Sequence, residues 1–190
     1  MAHHEEIQEI METLRIATKH HIGEIMAARG HWKPGTSAVN NSYKVLCDLV
    51  GLRRLEKENG FFRVPGCRSE FKEHSQLLTT ALTEIIKNYD AKIHREVWVD
   101  KIGLRVDAIG LLISKGHGFC FILEAMNQET DNEVISKKRV WEQWEDAREF
   151  LSRLFGYEIP DFEFITVKKG ENPCGKLPSL PSSSPASFSS

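Results

Sequence analysis

The dipeptide Asn59-Gly60 restricts the fold of the first third of this chain more than any other feature. Both residues tolerate positive φ angles, so the pair is the strongest short-range signal for a β-hairpin. Three amphipathic helical segments precede the hairpin, and they span residues 4–15, 18–30 and 37–51. Three helices followed by a hairpin predict a winged helix-turn-helix domain over residues 4–66.

The third helical segment has one apolar and one polar face. We expect the apolar face to pack on the core, and it consists of Val39, Tyr43, Leu46 and Val50. On the polar face, amides suit base edges in a major groove, and lysines suit phosphates. The residues predicted to contact DNA from this segment and the turn before it are Lys33, Ser37, Asn40, Asn41 and Lys44.

Basic residues also surround the predicted hairpin, where a wing would meet the DNA backbone beside the groove. These residues are Arg53, Arg54, Lys57 and Arg63. Residues 13–66 hold nine lysines and arginines against four acids, although the whole chain has a net charge of -2. This local excess favours double-stranded DNA as the partner. The alternative is a winged-helix module that contacts protein, with its polar face merely solvated.

The second half of the chain is interpreted as a mixed α/β domain over residues 69–168. A long amphipathic helix from Ser69 to about Asn88 comes first, followed by three strands, a second long helix and a final strand. The strands are expected at 93–99, 104–113, 118–125 and 161–168, and the second helix at 136–155. The order is αβββαβ, and the fold class of the whole chain is α+β.

Two carboxylates interrupt the apolar strands of this domain. Asp107 lies in the second strand, and Glu124 lies near the end of the third. An unpaired charge inside a sheet costs several kcal/mol, so such acids are normally paired, hydrogen-bonded or metal-bound. On neighbouring strands the two acids could meet and hold a divalent cation. The alternative is a pair near the strand ends that is solvated or bonded to Arg105.

The αβββαβ order and the two acids resemble the PD-(D/E)XK nuclease fold, a restriction-endonuclease-like α/β domain. In that family the two acids bind magnesium, and a glutamate on the first helix often assists. The resemblance therefore implies that Asp107 and Glu124 are Mg²⁺ ligands and catalytic acids, with Glu84 as the auxiliary acid.

The lysine of that family is missing from its usual position. In the family it lies two residues after the second acid and polarises the attacking water, but here that position holds Met126. Lys137 or Lys138, at the start of the next helix, could substitute for it. We therefore expect a domain that is inactive and needs no cofactor, while an active domain would require Mg²⁺.

A second resemblance covers residues 7–168. The segments that carry it are the predicted winged helix, His74 with Leu77-Leu78, Arg105-Val106-Asp107-Ala108, Phe121-Ile122-Leu123-Glu124 and the aromatic-rich closing strand. Together they are similar to the replication-relaxation proteins of plasmids and mobile elements. Those proteins pair a winged helix with a degenerate nuclease-like domain and support plasmid replication or DNA processing. Their usual acid two residues after the glutamate is again Met126 here.

The function predicted from these observations is DNA binding on a bacterial plasmid, phage or integrated element, in replication or its control. The winged helix would select the site, and the second domain would contact replication proteins or a second copy of the chain. The competing hypothesis is a magnesium-dependent DNA endonuclease. A third is a protein-contacting adaptor without DNA affinity.

The remaining histidines and tryptophans favour structural interpretations. The adjacent pairs His3-His4 and His20-His21 point about 100° apart on a helix, so each pair is a poor chelate. Trp141 and Trp144 share one helix face, where core packing or a dimer contact is favoured over nucleic-acid stacking.

Several features of the sequence bear on the expected cellular location. No apolar run approaches the roughly 20 residues of a membrane span, and the N-terminus lacks the pattern of a signal peptide. The four cysteines are far apart, which is typical of reduced thiols in a cytosol. We therefore expect a cytoplasmic protein with no membrane partner. Residues 169–190 are rich in serine and proline and are expected to be disordered.

Overall fold

The computed structural model describes residues 2–67, 72–114, 117–126 and 130–177. They form a mixed α+β structure with two sheets and six α-helices within these ranges. The chain divides into two compact units between Asn88 and Tyr89. The predicted helix start at Ser69 and the tail beyond residue 177 lie outside the described residues.

The first unit contains four helices and a small antiparallel sheet. Its elements are α1 (Ala2–Leu14), β1 (Ile16–Ala17), α2 (Lys19–Ala28), α3 (Thr36–Gly51), β2 (Glu56–Glu58), β3 (Phe61–Arg63) and α4 (Lys72–Asn88). The strand order is β1-β3-β2, so the two-residue strand β1, which was not predicted, extends the hairpin. The predicted turn at Asn59-Gly60 is confirmed, since both residues have positive φ angles of 50° and 82°.

Thr18 and His21 cap the start of α2. Thr18 is the N-cap, its side chain accepts a hydrogen bond from the His21 backbone, and the His21 ring in turn accepts from the Thr18 backbone N–H. This reciprocal pair satisfies two backbone donors that a helix start leaves without intrahelical partners. Burial of Ile22, Ile25 and Met26 then holds the helix on the core.

The core-facing side of α3 differs from the prediction. Its buried residues are Ala38, Ser42, Leu46 and Leu49, whereas Tyr43 is 40% exposed. Ser42 can be buried because its hydroxyl donates hydrogen bonds to the carbonyls of Lys19 and Val39. Tyr43 instead places its ring at the surface, with its hydroxyl available to a polar partner.

Helix α4 packs within the first unit, although the sequence analysis assigned it to the second domain. Its buried stripe contains Leu78, Leu82 and Ile85, and it contacts α1, α2 and β1. The Thr79 hydroxyl donates to the Ile16 carbonyl at 2.9 Å, which ties the helix to strand β1. An amphipathic stripe shows that a helix packs on a core, but it does not show which core.

The second unit is built on a four-stranded sheet with the order β4-β5-β6-β7. Its elements are β4 (Ala91–Val99), β5 (Leu104–Ser114), β6 (His117–Ala125), α5 (Asp131–Gln143), α6 (Ala147–Phe155) and β7 (Phe162–Val167). The first three strands are antiparallel, and β7 runs parallel to β6. The crossover between these parallel strands carries α5 and α6.

The helical crossover is broken where one long helix was predicted. Helix α5 ends at Gln143 and α6 begins at Ala147, with Trp144 in an extended conformation between them. Both helices pack on the sheet through Trp141 and Leu151, which are fully buried. The break turns the chain so that Trp141 and Trp144 contact each other edge to face at 5.5 Å.

Residues 169–177 also differ from the expectation of disorder. A short 3₁₀ helix at Pro173–Lys176 packs beside β7, with Pro173 and Leu177 buried. The Lys176 ammonium donates to the Thr166 carbonyl at 2.6 Å, so this segment is bonded to the last strand. Among the described residues, no helix has the length and apolar character needed to cross a membrane.

Candidate functional site

The polar face of α3 is oriented by close packing of α2 against the opposite side of that helix. A Cβ atom built on Gly23 would lie 3.1 Å from the Val39 backbone nitrogen, so glycine allows the two helix backbones to approach. The bond from Ser42 Oγ to the Lys19 carbonyl, at 2.6 Å, fixes the rotation of α3. The residues of α3 that point away from α2 are therefore held in one orientation.

Most residues predicted to contact DNA lie on the surface of the first unit. On α3 and the turn before it, Asn41 is half-buried, and the exposed residues are Lys33, Ser37, Asn40 and Lys44. At the hairpin, Arg63 is half-buried, and the exposed residues are Arg53, Arg54 and Lys57. The structure thus gives α3 an exposed polar face and the hairpin three exposed cations.

The cations at the hairpin differ in the partners that they contact. Arg63 pairs with Glu56 at 2.7 Å and with Glu58 at 3.2 Å, so two carboxylates offset its charge. Lys57 donates to the Tyr43 hydroxyl at 2.9 Å, and its ammonium lies 4.8 Å from the Tyr43 ring centroid. That hydrogen bond raises the pKa of the exposed Lys57 ammonium.

The two predicted acids lie on adjacent strands at the same height. Ala108 on β5 pairs with Leu123 on β6, so the antiparallel register places Asp107 opposite Glu124. Opposite residues of an antiparallel pair project to the same face of the sheet. The Ala125 backbone N–H donates to Asp107 Oδ2 at 2.8 Å, which holds this carboxylate at the end of β6.

A lysine from the following helix contacts the more buried acid. The Glu124 side chain is only 1% exposed, and the Lys137 ammonium lies 2.9 Å from its Oε2. Thr130 and Glu133 form a reciprocal capping box that fixes the start of α5 and therefore the position of Lys137 one turn later. Lys138 is exposed and pairs with Glu142 instead, so only the first of the two lysines reaches the acids.

The third predicted acid lies in the other unit. Glu84 is a residue of α4, where its carboxylate accepts a hydrogen bond from the Lys87 ammonium at 2.8 Å. Lys87 also pairs with Glu24 of α2 at 3.0 Å. These contacts give Glu84 a place in a surface ion-pair network of the first unit.

The acid pair has the donor chemistry of a magnesium site. Mg²⁺ binds oxygen ligands and is usually held through one or two carboxylates, with water completing its octahedron. Asp107 and Glu124 supply two carboxylates on one face, and Asp107 is half-buried, so the pair is not sealed from solvent. These two residues would hold the ion, and Lys137 would share Glu124 with it.

One cluster in the first unit was not predicted from the sequence. One ligand atom from each of His3, Glu6 and His31 lies within 4.8 Å of the others. His3 and Glu6 are three residues apart on α1, and His31 is remote from them in the sequence. The spacing of His3 and Glu6 was a usable signal, because residues three apart share a helix face.

Comparison with protein-family models, with curated proteins and with solved structures found no match for this chain.

Proposed function

We propose that the first unit is a winged helix-turn-helix and that this chain binds double-stranded DNA through it. The observation that carries the proposal is the exposed polar face of α3 with Asn40 and Lys44, together with the contact of Lys57 in the hairpin with Tyr43 of the same helix. Helix α3 would lie in the major groove, where Asn40 and Asn41 would read base edges. Lys33, Lys44 and Lys57 would neutralise phosphates.

The second unit is proposed to act as an assembly domain of a cytoplasmic DNA-binding protein. The proposal rests on the similarity of its sequence motifs to the nuclease-like half of replication-relaxation proteins, with Met126 at the position of the lysine of an active nuclease. Its partners would be replication proteins or a second copy of the chain on a plasmid, phage or integrated element. Binding to DNA would then support replication or its control.

The experiment starts by selecting bound duplexes from a random DNA library with the full chain. Asn40→Ala combined with Asn41→Ala should weaken binding to the selected duplex by about 10-fold to 100-fold. Binding to random duplex should stay nearly unchanged. Lys44→Ala should weaken binding to both duplexes, and it should lower by about one the slope of the logarithm of affinity against the logarithm of salt concentration. Lys101→Ala is the matched control, because Lys101 is an exposed lysine of the second unit.

Two outcomes would contradict the DNA proposal. Unchanged selectivity in the asparagine variant would remove α3 as the reading helix. Failure of the wild-type chain to enrich or bind any duplex at low salt would instead favour the adaptor hypothesis, in which the polar face of α3 contacts protein.

A second candidate function is magnesium-dependent DNA cleavage by the second unit. The observation in its favour is the Lys137 ammonium at 2.9 Å from Glu124, because it supplies the cation that Met126 cannot. When bound, Mg²⁺ would polarise a phosphate oxygen and orient a water molecule. Lys137 would then provide positive charge beside the two acids, and Asp107 would keep its backbone contact to β6.

Nicking of supercoiled plasmid in Mg²⁺ or Mn²⁺ distinguishes the two functions. If the second unit is an endonuclease, wild-type protein should nick the plasmid, and Glu124→Gln and Lys137→Met should each lower the rate at least 100-fold. Lys138→Met should not, because Lys138 pairs with Glu142. Absence of nicking together with retained DNA binding would leave the nuclease-like fold as a scaffold.

A further inference from the structure

We propose that His3, Glu6 and His31 form a Zn²⁺ site in the first unit. Two imidazoles and one carboxylate are a common ligand set of protein zinc sites, and they leave a fourth position for water or another ligand. The three ligand atoms lie within 4.8 Å of one another. The site would join the N-terminal turn of α1 to the turn between α2 and α3.

The distances between these side chains are close to those that zinc requires. Bonds of about 2.0–2.1 Å in a tetrahedron place neighbouring ligand atoms roughly 3.4 Å apart. His31 Nε2 already lies 3.1 Å from Glu6 Oε2. The rings of His3 and His31 contact each other at a centroid distance of 5.2 Å, so a small rotation of His3 would complete the set.

The surroundings hold the three ligands in place before any ion arrives. Arg29 donates to Glu6 Oε1 at 2.8 Å, which holds the carboxylate beside His31, whose Nε2 lies 3.2 Å from Oε1 and 3.1 Å from Oε2. The Trp32 ring packs against the His3 ring at 5.5 Å. Outer partners of this kind orient metal ligands, and removing them weakens metal binding. Carboxylate and imidazole together select a transition metal over Mg²⁺ or Ca²⁺.

Zinc would tie together parts of the chain that lie on either side of α2. His31 is two residues before Lys33, and the same turn leads into α3. A bound ion would therefore restrain the segment from which α3 begins. Because the three ligands lie together only in the folded chain, Zn²⁺ should also stabilise the first unit.

The test is a titration of the full chain with Zn²⁺ in competition with a chromophoric chelator. Wild-type protein should bind one ion, and His3→Ala and His31→Ala should each weaken binding at least 10-fold. His4→Ala is the matched control, since His4 is the adjacent histidine on α1 and its ring faces Asp48 at 3.4 Å. Co²⁺ should give the visible absorption bands of a four-coordinate site in wild-type protein and not in His31→Ala.

Absence of stoichiometric Zn²⁺ binding by the wild-type chain would overturn the proposal, and so would unchanged Zn²⁺ affinity in a His3→Ala and His31→Ala double variant. A third contrary result would be that His4→Ala weakens Zn²⁺ binding as much as His3→Ala does. The last would assign binding to the adjacent histidine pair. Because His31→Ala removes a partner of Glu6, circular dichroism spectra must first match those of wild type. Glu6→Gln provides a second variant, and its expected loss is also at least 10-fold.

Discussion

The ammonium of Lys137 lies 2.9 Å from Oε2 of Glu124, and this contact joins the first turns of α5 to the interior of the sheet. Glu124 is almost fully buried, while the Lys137 side chain retains 22% of its exposure. A buried carboxylate that loses its cation is strongly destabilising, because the remaining charge is poorly solvated. Both the structural role and the proposed catalytic role of Lys137 therefore depend on its ion pair with Glu124.

Replacing Lys137 with alanine should lower the free energy of unfolding by about 3 kcal/mol, since it leaves Glu124 without this partner. Lys138→Ala should change it by less than about 0.5 kcal/mol, because Lys138 pairs at the surface. Urea unfolding followed by circular dichroism measures both values. Equal effects of the two substitutions would show that the buried pair is not a stability determinant.

The stability of the first unit should fall as the pH is lowered through about 6.5. Burial lowers the pKa of His21 below its ordinary value of 6.5, so the unfolded chain takes up a proton that the folded chain resists. The contribution of neutral His21 to the free energy of unfolding is fully present above pH 6.5 and is lost as the pH falls toward the folded-state pKa. Below that pKa the free energy of unfolding no longer changes on account of His21. Burial lowers the pKa of His94 in the second unit in the same direction.

His21→Gln isolates the contribution of the first unit to this pH dependence. Glutamine keeps a side-chain acceptor for the Thr18 backbone N–H but does not titrate, so urea unfolding should depend less on pH. His20→Gln, at the exposed neighbouring position, should leave the pH dependence unchanged. A His21→Gln profile that overlays the wild-type profile would contradict the assignment.

Gly110→Ala should destabilise the second unit by about 2 kcal/mol or more. A Cβ at this position would lie 2.1 Å from the tip of the Phe121 ring, and Phe121 is fully buried. Gly51→Ala is the contrasting change, because nothing lies within 4 Å of its Cβ and α3 would gain about 0.5 kcal/mol. Thermal unfolding measures the direction of the stability change for both substitutions. An unchanged stability of Gly110→Ala would mean that the Phe121 ring can move aside.

Local signals explain which parts of the fold were predictable. Asn59-Gly60 determines a turn and runs of apolar residues determine strands through contacts between near neighbours, and these predictions agree with the structure. The face of α3 was not predicted because a hydropathy ranking places Tyr43 inside and Ser42 outside. Their actual positions depend on hydrogen bonds to other elements.

The sequence also predicted part of the candidate site in the second unit. The sequence predicted that the two acids could meet if their strands were neighbours, and the antiparallel register places Asp107 opposite Glu124. Lys137 was a candidate alongside Lys138, and the sequence did not distinguish them, whereas in the structure Lys137 pairs with Glu124 and Lys138 pairs with Glu142. The contact between His3 and His31 joins residues far apart in the sequence, which no local pattern contains.

The parallel pairing of β6 and β7 has a consequence for synthesis on the ribosome. β6 carries buried Phe121, Leu123 and Glu124, yet its outer edge stays uncovered until β7 (Phe162–Val167) has emerged and α5 and α6 have formed between them. An apolar strand edge exposed for that interval is a site for wrong pairing between nascent chains. Chaperone dependence of this protein should therefore be concentrated in the period before residue 167 leaves the exit tunnel.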